Sequence, residues 1–293
     1  MQTNEFKTYH PLVNFLYFII VIGFSCFFMH PVCLCISFFS ALLYSIVLKV
    51  NLGLKYILLM FVGMAILNPL FNHEGVTVFA YFPNGNPLTF ESMVYGVFAS
   101  IMLLTVIFWF SCYNEIMTSD KFIYLFGRVI PSLSLVLSMT LRFVPRFKEQ
   151  MKRVSDAQTT IGQGVGEGKI IKRIKNGLSI ISIMITWSFE NALDTADSMK
   201  SRGYGLSKRT SFSIFTFDKR DAGLLLLIVF LGAYIIIGKI CGAMDITYFP
   251  AIKTGEWSVY SLSVFLAYFV LCIMPVMVEV WEVVRWKALI SKI

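Results

Sequence analysis

Six apolar runs organise this chain: Leu12–Met29, Val32–Leu48, Leu54–Phe71, Met93–Cys112, Ala222–Lys239 and Val259–Val278. A helix rises about 1.5 Å per residue, so runs of this length, with interfacial ends, match a hydrocarbon layer about 30 Å thick. Pro11, Pro31 and Pro69 mark starts, turns or kinks, because proline has no donor for a helix interior. The pattern predicts an all-α polytopic membrane protein with about six transmembrane helices. A long polar interval divides the fourth from the fifth. The expected parts are 1–112 (spans one to four), 113–220 (a cytoplasmic helical region) and 221–293 (spans five and six with a short tail).

Two apolar stretches inside the interval need a decision. Phe122–Leu141 is long enough to cross, yet it holds Arg128 and Pro131 and runs into Arg142, Arg146 and Lys148. An arginine at the centre of a span costs about 2.5–3.5 kcal/mol on the insertion scale. Leu178–Phe189 has only twelve residues. Both are therefore expected to lie at the interface or against protein. Between the third and fourth runs, β-prone Val76–Phe82 followed by Pro83-Asn84-Gly85-Asn86-Pro87 predicts a hairpin, which could cap the outer face.

Composition and charge orient this picture. Of the 293 residues, 57% are apolar and 14% charged, against about 25% charged in a soluble domain. Seventeen of the twenty-five Lys and Arg residues fall in Tyr113–Arg220. Placing that stretch in the cytoplasm puts Lys7, Lys49, Lys55, Arg285, Lys287 and Lys292 on the same side. The opposite loop, Asn72–Ser92, then carries no Lys or Arg, and the last outer loop holds only Lys253 beyond boundary Lys239. Both termini are thus expected to be cytoplasmic.

Within the basic stretch, Phe147, Met151, Val154, Gln158 and Ile161 recur at helical steps across Arg142–Gly162. Arg142, Arg146 and Arg153 share a neighbouring face, and Pro145 is expected to kink this helix near its start. The glycine-rich run 162–169 ends it and reads as a flexible connector. It imitates a phosphate-binding loop, but Gln163 stands at the first glycine position and Ile170 replaces the hydroxyl that would hold Mg²⁺. A second helix is expected over Lys172–Ser201. Glu190, Asp194 and Asp197 form an acidic face, solvated or paired with the basic side of the first helix. Ala192, Ala196 and Met199 form a small-residue seam that another helix could approach closely. Lys200 and Arg202 suit a helix C-terminus, and Gly203 and Gly205 suit a left-handed cap. The bland reading is a charged helix end with a glycine stop. The sharper one is an Arg202 fork aimed at a partner's carboxylates or carbonyls.

Other chemistries find little support. The six cysteines mostly sit in or beside apolar runs, and His10, His30 and His73 are far apart, so no metal ligand set emerges. No cofactor is implied. The acidic residues lack a nucleophile or base beside them, and no nucleic-acid-reading module is present. The N-terminal run ends at His30-Pro31 without an Ala-x-Ala-like site, so a cleavable signal is not expected. A self-contained carrier or a membrane-embedded enzyme is the alternative; it should show intramembrane acids, histidines or paired charges, which these runs lack beyond boundary Lys239, Glu279 and Glu282.

Met199-Lys200-Ser201-Arg202-Gly203-Tyr204-Gly205, following Glu190–Asp197, resembles the second Ala-Arg-Gly-type signature of the T components (EcfT/CbiQ family) of energy-coupling factor transporters. Leu141-Arg142-Phe143-Val144-Pro145 with Ala157-Gln158 resembles the approach to the first signature. The resemblance implies a membrane scaffold with two cytoplasmic coupling helices. These would join two ABC-type ATPases to a substrate-binding S component, with no catalysis of their own. It matches Arg202 to the second signature arginine and Gly203 to its glycine, with Ser201 in place of alanine. At the first signature Thr160-Ile161-Gly162 stands for Ala-Arg-Gly, so Ile161 replaces the arginine. Ile161 filling an apolar part of the groove, or Lys152 or Arg153 supplying the charge, are the substitutes.

Overall fold

A computed structural model describes residues 4–50, 53–81, 85–127, 131–166, 168–205, 215–255 and 257–290, with backbone alone for 54, 127, 131–134 and 286–290. Asn84 of the expected hairpin turn, Arg128, Glu167 and Lys292 lie outside the described residues. The helices are α1 (Glu5–Thr8), α2 (Pro11–Phe27), α3 (Pro31–Val47), α4 (Leu54–Phe71), α5 (Phe90–Ile116), α6 (Ser119–Gly127), α7 (Pro131–Thr160), α8 (Ile170–Ser201), α9 (Lys219–Ile240) and α10 (Val259–Ile290). Strands β1 (Val78–Tyr81) and β2 (Pro87–Thr89) form the expected antiparallel hairpin, and β3 (Ile246–Thr247) pairs with β4 (Lys253–Thr254). Phe90–Ile116, Lys219–Ile240 and Val259–Arg285 are long and apolar enough to cross a membrane; Pro11–Phe27, Pro31–Val47 and Lys55–Phe71 are shorter apolar helices. The chain is an all-α membrane protein.

The helix starts follow from local chemistry. In α2 and α3 a proline takes the first helical position, where no donor is needed. The preceding His10 and His30 accept from the Leu12 and Val32 amides at 3.2 and 3.3 Å, satisfying one otherwise unpaired donor in each helix. Thr89 caps α5 by accepting from the Ser92 amide at 3.4 Å.

The backbone divides into two compact units, Met1–Phe122 with Phe215–Ile293, and Ile123–Ile214. In the first, α3 and α4 pack on α5, and α10 packs on α3 and α9. Its core holds Tyr17, Phe18, Tyr44, Trp109, Ile228, Tyr268 and Leu271. Several polar atoms there find internal partners, as an apolar solvent requires, while the buried Tyr44 hydroxyl has none among the described residues. Trp109 Nε1 donates to Ser37 Oγ at 2.9 Å, Ser37 and Ser25 share a hydrogen bond at 2.7 Å, and the Tyr17 hydroxyl donates to the Cys272 carbonyl at 3.2 Å. Gly238 lets α9 approach α10: a Cβ there would come within 2.6 Å of the Val264 side chain.

In the second unit α7 and α8 run back along each other. Phe147 meets Trp187 edge-on at 5.3 Å, and Gly164 near the turn meets Asn176. The described parts of Phe122–Leu141 are helical, in α6 and α7, and residues 128–130 lie outside the described residues. One expectation is corrected here. The helix expected from Arg142 is already formed from Pro131 onward, so Pro145 lies in its interior rather than near its start.

Candidate functional site

The site is built from the two ends of the helical pair. At the end of α8, the Gly203 amide donates to the Lys200 carbonyl at 3.0 Å and the Tyr204 amide to the Met199 carbonyl at 3.0 Å. Gly203 is left-handed at φ 80°. This pair of bonds is a Schellman cap, in which a glycine reverses the chain and satisfies carbonyls the helix leaves open. The end of α7 is built alike. The Gly162 amide donates to the Thr159 carbonyl at 3.1 Å, the Gln163 amide to the Gln158 carbonyl at 2.9 Å, and φ of Gly162 is 75°. Ile161 and Arg202 therefore occupy the same station, the residue just before the left-handed glycine. Both are exposed, Ile161 by 64%. Ser201 Oγ bonds back to the Ser198 carbonyl at 2.9 Å, within the last turn.

The equivalence sharpens the contrast between the ends. Arg202 places a cation at the negative pole of α8, where the dipole favours it; Ile161 places a bare apolar side chain at the matching point of α7. Of the substitutes for the missing charge, Arg153 is engaged within its own helix, pairing with Glu149 at 2.6 Å. Lys152 is exposed.

The connector is corrected by the structure. Arg173 Nε donates to the Val165 carbonyl at 2.9 Å, and buried Asn176 donates to the Gly164 carbonyl at 3.0 Å. Residues 162–166 are thereby folded onto the first turns of α8, because two side chains of that helix satisfy backbone acceptors that a free linker would leave to water. Sequence reasoning missed this; the signal was a carboxamide, Asn176, amid isoleucines.

The stripe residues separate by role. Phe147 and Met151 face α8 and, with Phe143, Ile180, Met184 and Phe189, line an apolar groove of about 660 Å³. Val154 is half-buried. The Arg146 guanidinium lies 5.8 Å from the Trp187 ring centroid. Ala192 and Ala196 are exposed and Met199 half-buried, so the seam is open. Beside it runs an apolar stripe of Ile170, Ile174, Leu178, Ile181, Ile185 and Phe189, each more than half exposed. Glu190, Asp194 and Asp197 are solvated, and among the described residues none forms an ion pair with α7.

The fold and these ends define a class: an all-α membrane protein carrying an inserted basic helical unit with two like-capped termini. Residues 4–212 match the family described as cobalt transport protein, CbiQ, and the chain belongs to that family. It is similar to the energy-coupling factor transporter transmembrane protein EcfT of Streptococcus equi subsp. equi, 33% identical over 104 residues, which are 35% of this chain and 39% of the relative. The EcfT protein of Lactococcus lactis subsp. cremoris is 33% identical over 109 residues, covering 37% and 41% of the two chains. The chain thus spans about 40% of the length of these curated relatives in the matched stretches. The family is one of transporter membrane components, not of enzymes.

Proposed function

We propose that this chain is the T component of an energy-coupling factor importer. It transmits ATP-driven movement of two ABC-type ATPases to a substrate-binding S component, for uptake of a micronutrient such as a vitamin or metal ion. The positive-inside distribution supports six crossings with both termini and the helical pair in the cytoplasm. The observation that carries the reading is the pair of matched caps, which present Arg202 and Ile161 at equivalent points of two helices. Two equivalent points suit two ATPases. Arg202 anchors by its fork in an acidic or carbonyl-lined groove, and Ile161 fills an apolar part of the other. The open seam and stripe of α8, with the groove against α7, supply apolar surface for the S component and the bilayer.

Truncating a central anchor typically costs 2 kcal/mol or more, so Arg202→Ala is expected to weaken ATPase co-purification by about thirtyfold, or to leave hydrolysis running without uptake. Membrane insertion should be intact. Wild-type ATPase recovery together with wild-type transport would contradict the reading.

A further inference from the structure

The helical pair is attached to the apolar unit by two chain passages, one leaving through the start of α6 and one returning into α9. Both are held by the same short N-terminal segment. On the outgoing side, Lys121 is only 5% exposed and donates to the Lys7 carbonyl. With its amide turned to suit both neighbours, Asn14 accepts from Lys121 Nζ at 2.9 Å and donates to the Phe6 carbonyl at 3.1 Å. On the returning side, Arg220 lies over the Tyr9 ring at 4.3 Å and donates to Thr8 Oγ1 at 3.1 Å. Buried Asp221 accepts from the His10 amide at 3.1 Å and, through its other oxygen, from the Asp218 amide at 3.1 Å.

The segment is itself fixed in the core. Phe6 is fully buried, meeting Tyr17 edge-on at 5.3 Å and Tyr44 at 6.2 Å. Its amide donates to Glu279 of α10 at 3.0 Å. A buried ammonium and a buried carboxylate are costly to strand, so each grip is expensive to release. The arrangement exceeds what capping a helix needs. Asp221 already closes the start of α9, and its second oxygen is spent on residue 10.

We propose that residues 5–10 form a clip that binds the outgoing and returning passages to one another and to α10. Through it, movement of the helical pair enters the apolar bundle as a single displacement rather than through two independent hinges. The transport role of the clip rests on the T-component reading; the clip itself does not.

Two near-isosteric substitutions test it, Lys121→Met on the outgoing side and Asp221→Asn on the returning side. Hydrogen exchange is read on the purified full chain in detergent. Cross-talk is expected: Lys121→Met should speed exchange of 217–222, and Asp221→Asn that of 119–122, each by about threefold or more, as a shared local opening requires. A change confined to the substituted side would overturn the clip. A merely local role moves only its own passage, and the two variants act from opposite sides, so misfolding of one leaves the other to decide. In the reconstituted complex the same variants should hold the ATPases and hydrolyse ATP as the wild type does, while substrate moved per ATP falls several-fold. Cross-talk with unchanged transport per ATP would overturn the coupling role. A wild-type chain that binds no ATPase would instead defeat the T-component reading, leaving the exchange result to stand.

Discussion

Burial of the Lys121 ammonium, with Lys7 beside it, lowers its pKa from 10.5 to about 8. The unfolded chain therefore binds more protons at this position between those values, and stability rises with pH across that window. The charged group beside it is Lys7 of α1, which itself pairs with Glu115 of α5 at 3.7 Å, and uncharged Asn14 of α2 accepts from it. Compared with Lys121→Met in thermal unfolding, the wild type should show a difference that is flat below about pH 8 and grows in its favour toward 10.5. A difference that shrinks with rising pH would contradict the burial. Little of this was legible beforehand, since Lys121 looks like one more basic residue in a basic stretch and its partners lie more than a hundred positions away. Arg202 was easier to read, because its glycine and preceding helix are contiguous. That Ile161 shares its station emerged only from the two sets of cap hydrogen bonds.

At the scale of elements, the connector shows how two side chains convert a glycine run into a fixed turn. Replacing Asn176 by Leu leaves the Gly164 carbonyl without its donor, a loss of about 1–3 kcal/mol. Limited proteolysis is expected to cut 162–168 faster in Asn176→Leu, with α8 cleaved no faster than in the wild type; equal cutting at the turn would contradict the Asn176 tie. The apolar helices were legible because lipid tolerates only long uninterrupted apolar stretches, and Pro11 and Pro31 fixed two of their starts to the residue. Asn176 and Gly164 are twelve positions apart and joined by a carboxamide, which no hydrophobic period reveals.

At the scale of the whole molecule, an apolar bundle carries a basic helical pair with two matched ends, an open groove and an exposed apolar stripe. Such surfaces have little purpose in a chain acting alone. The caps, seam and stripe are all suited to contact with other proteins. On the proposed function, this chain is one subunit of a larger importer, with energy supplied by its partners. Isolation of the tagged wild-type chain from membranes in mild detergent, with identification of the accompanying proteins, tests this most directly. The predicted result is two ABC ATPase subunits per chain together with a small membrane-embedded S component; recovery of the chain by itself, or with neither ATPase, would contradict it.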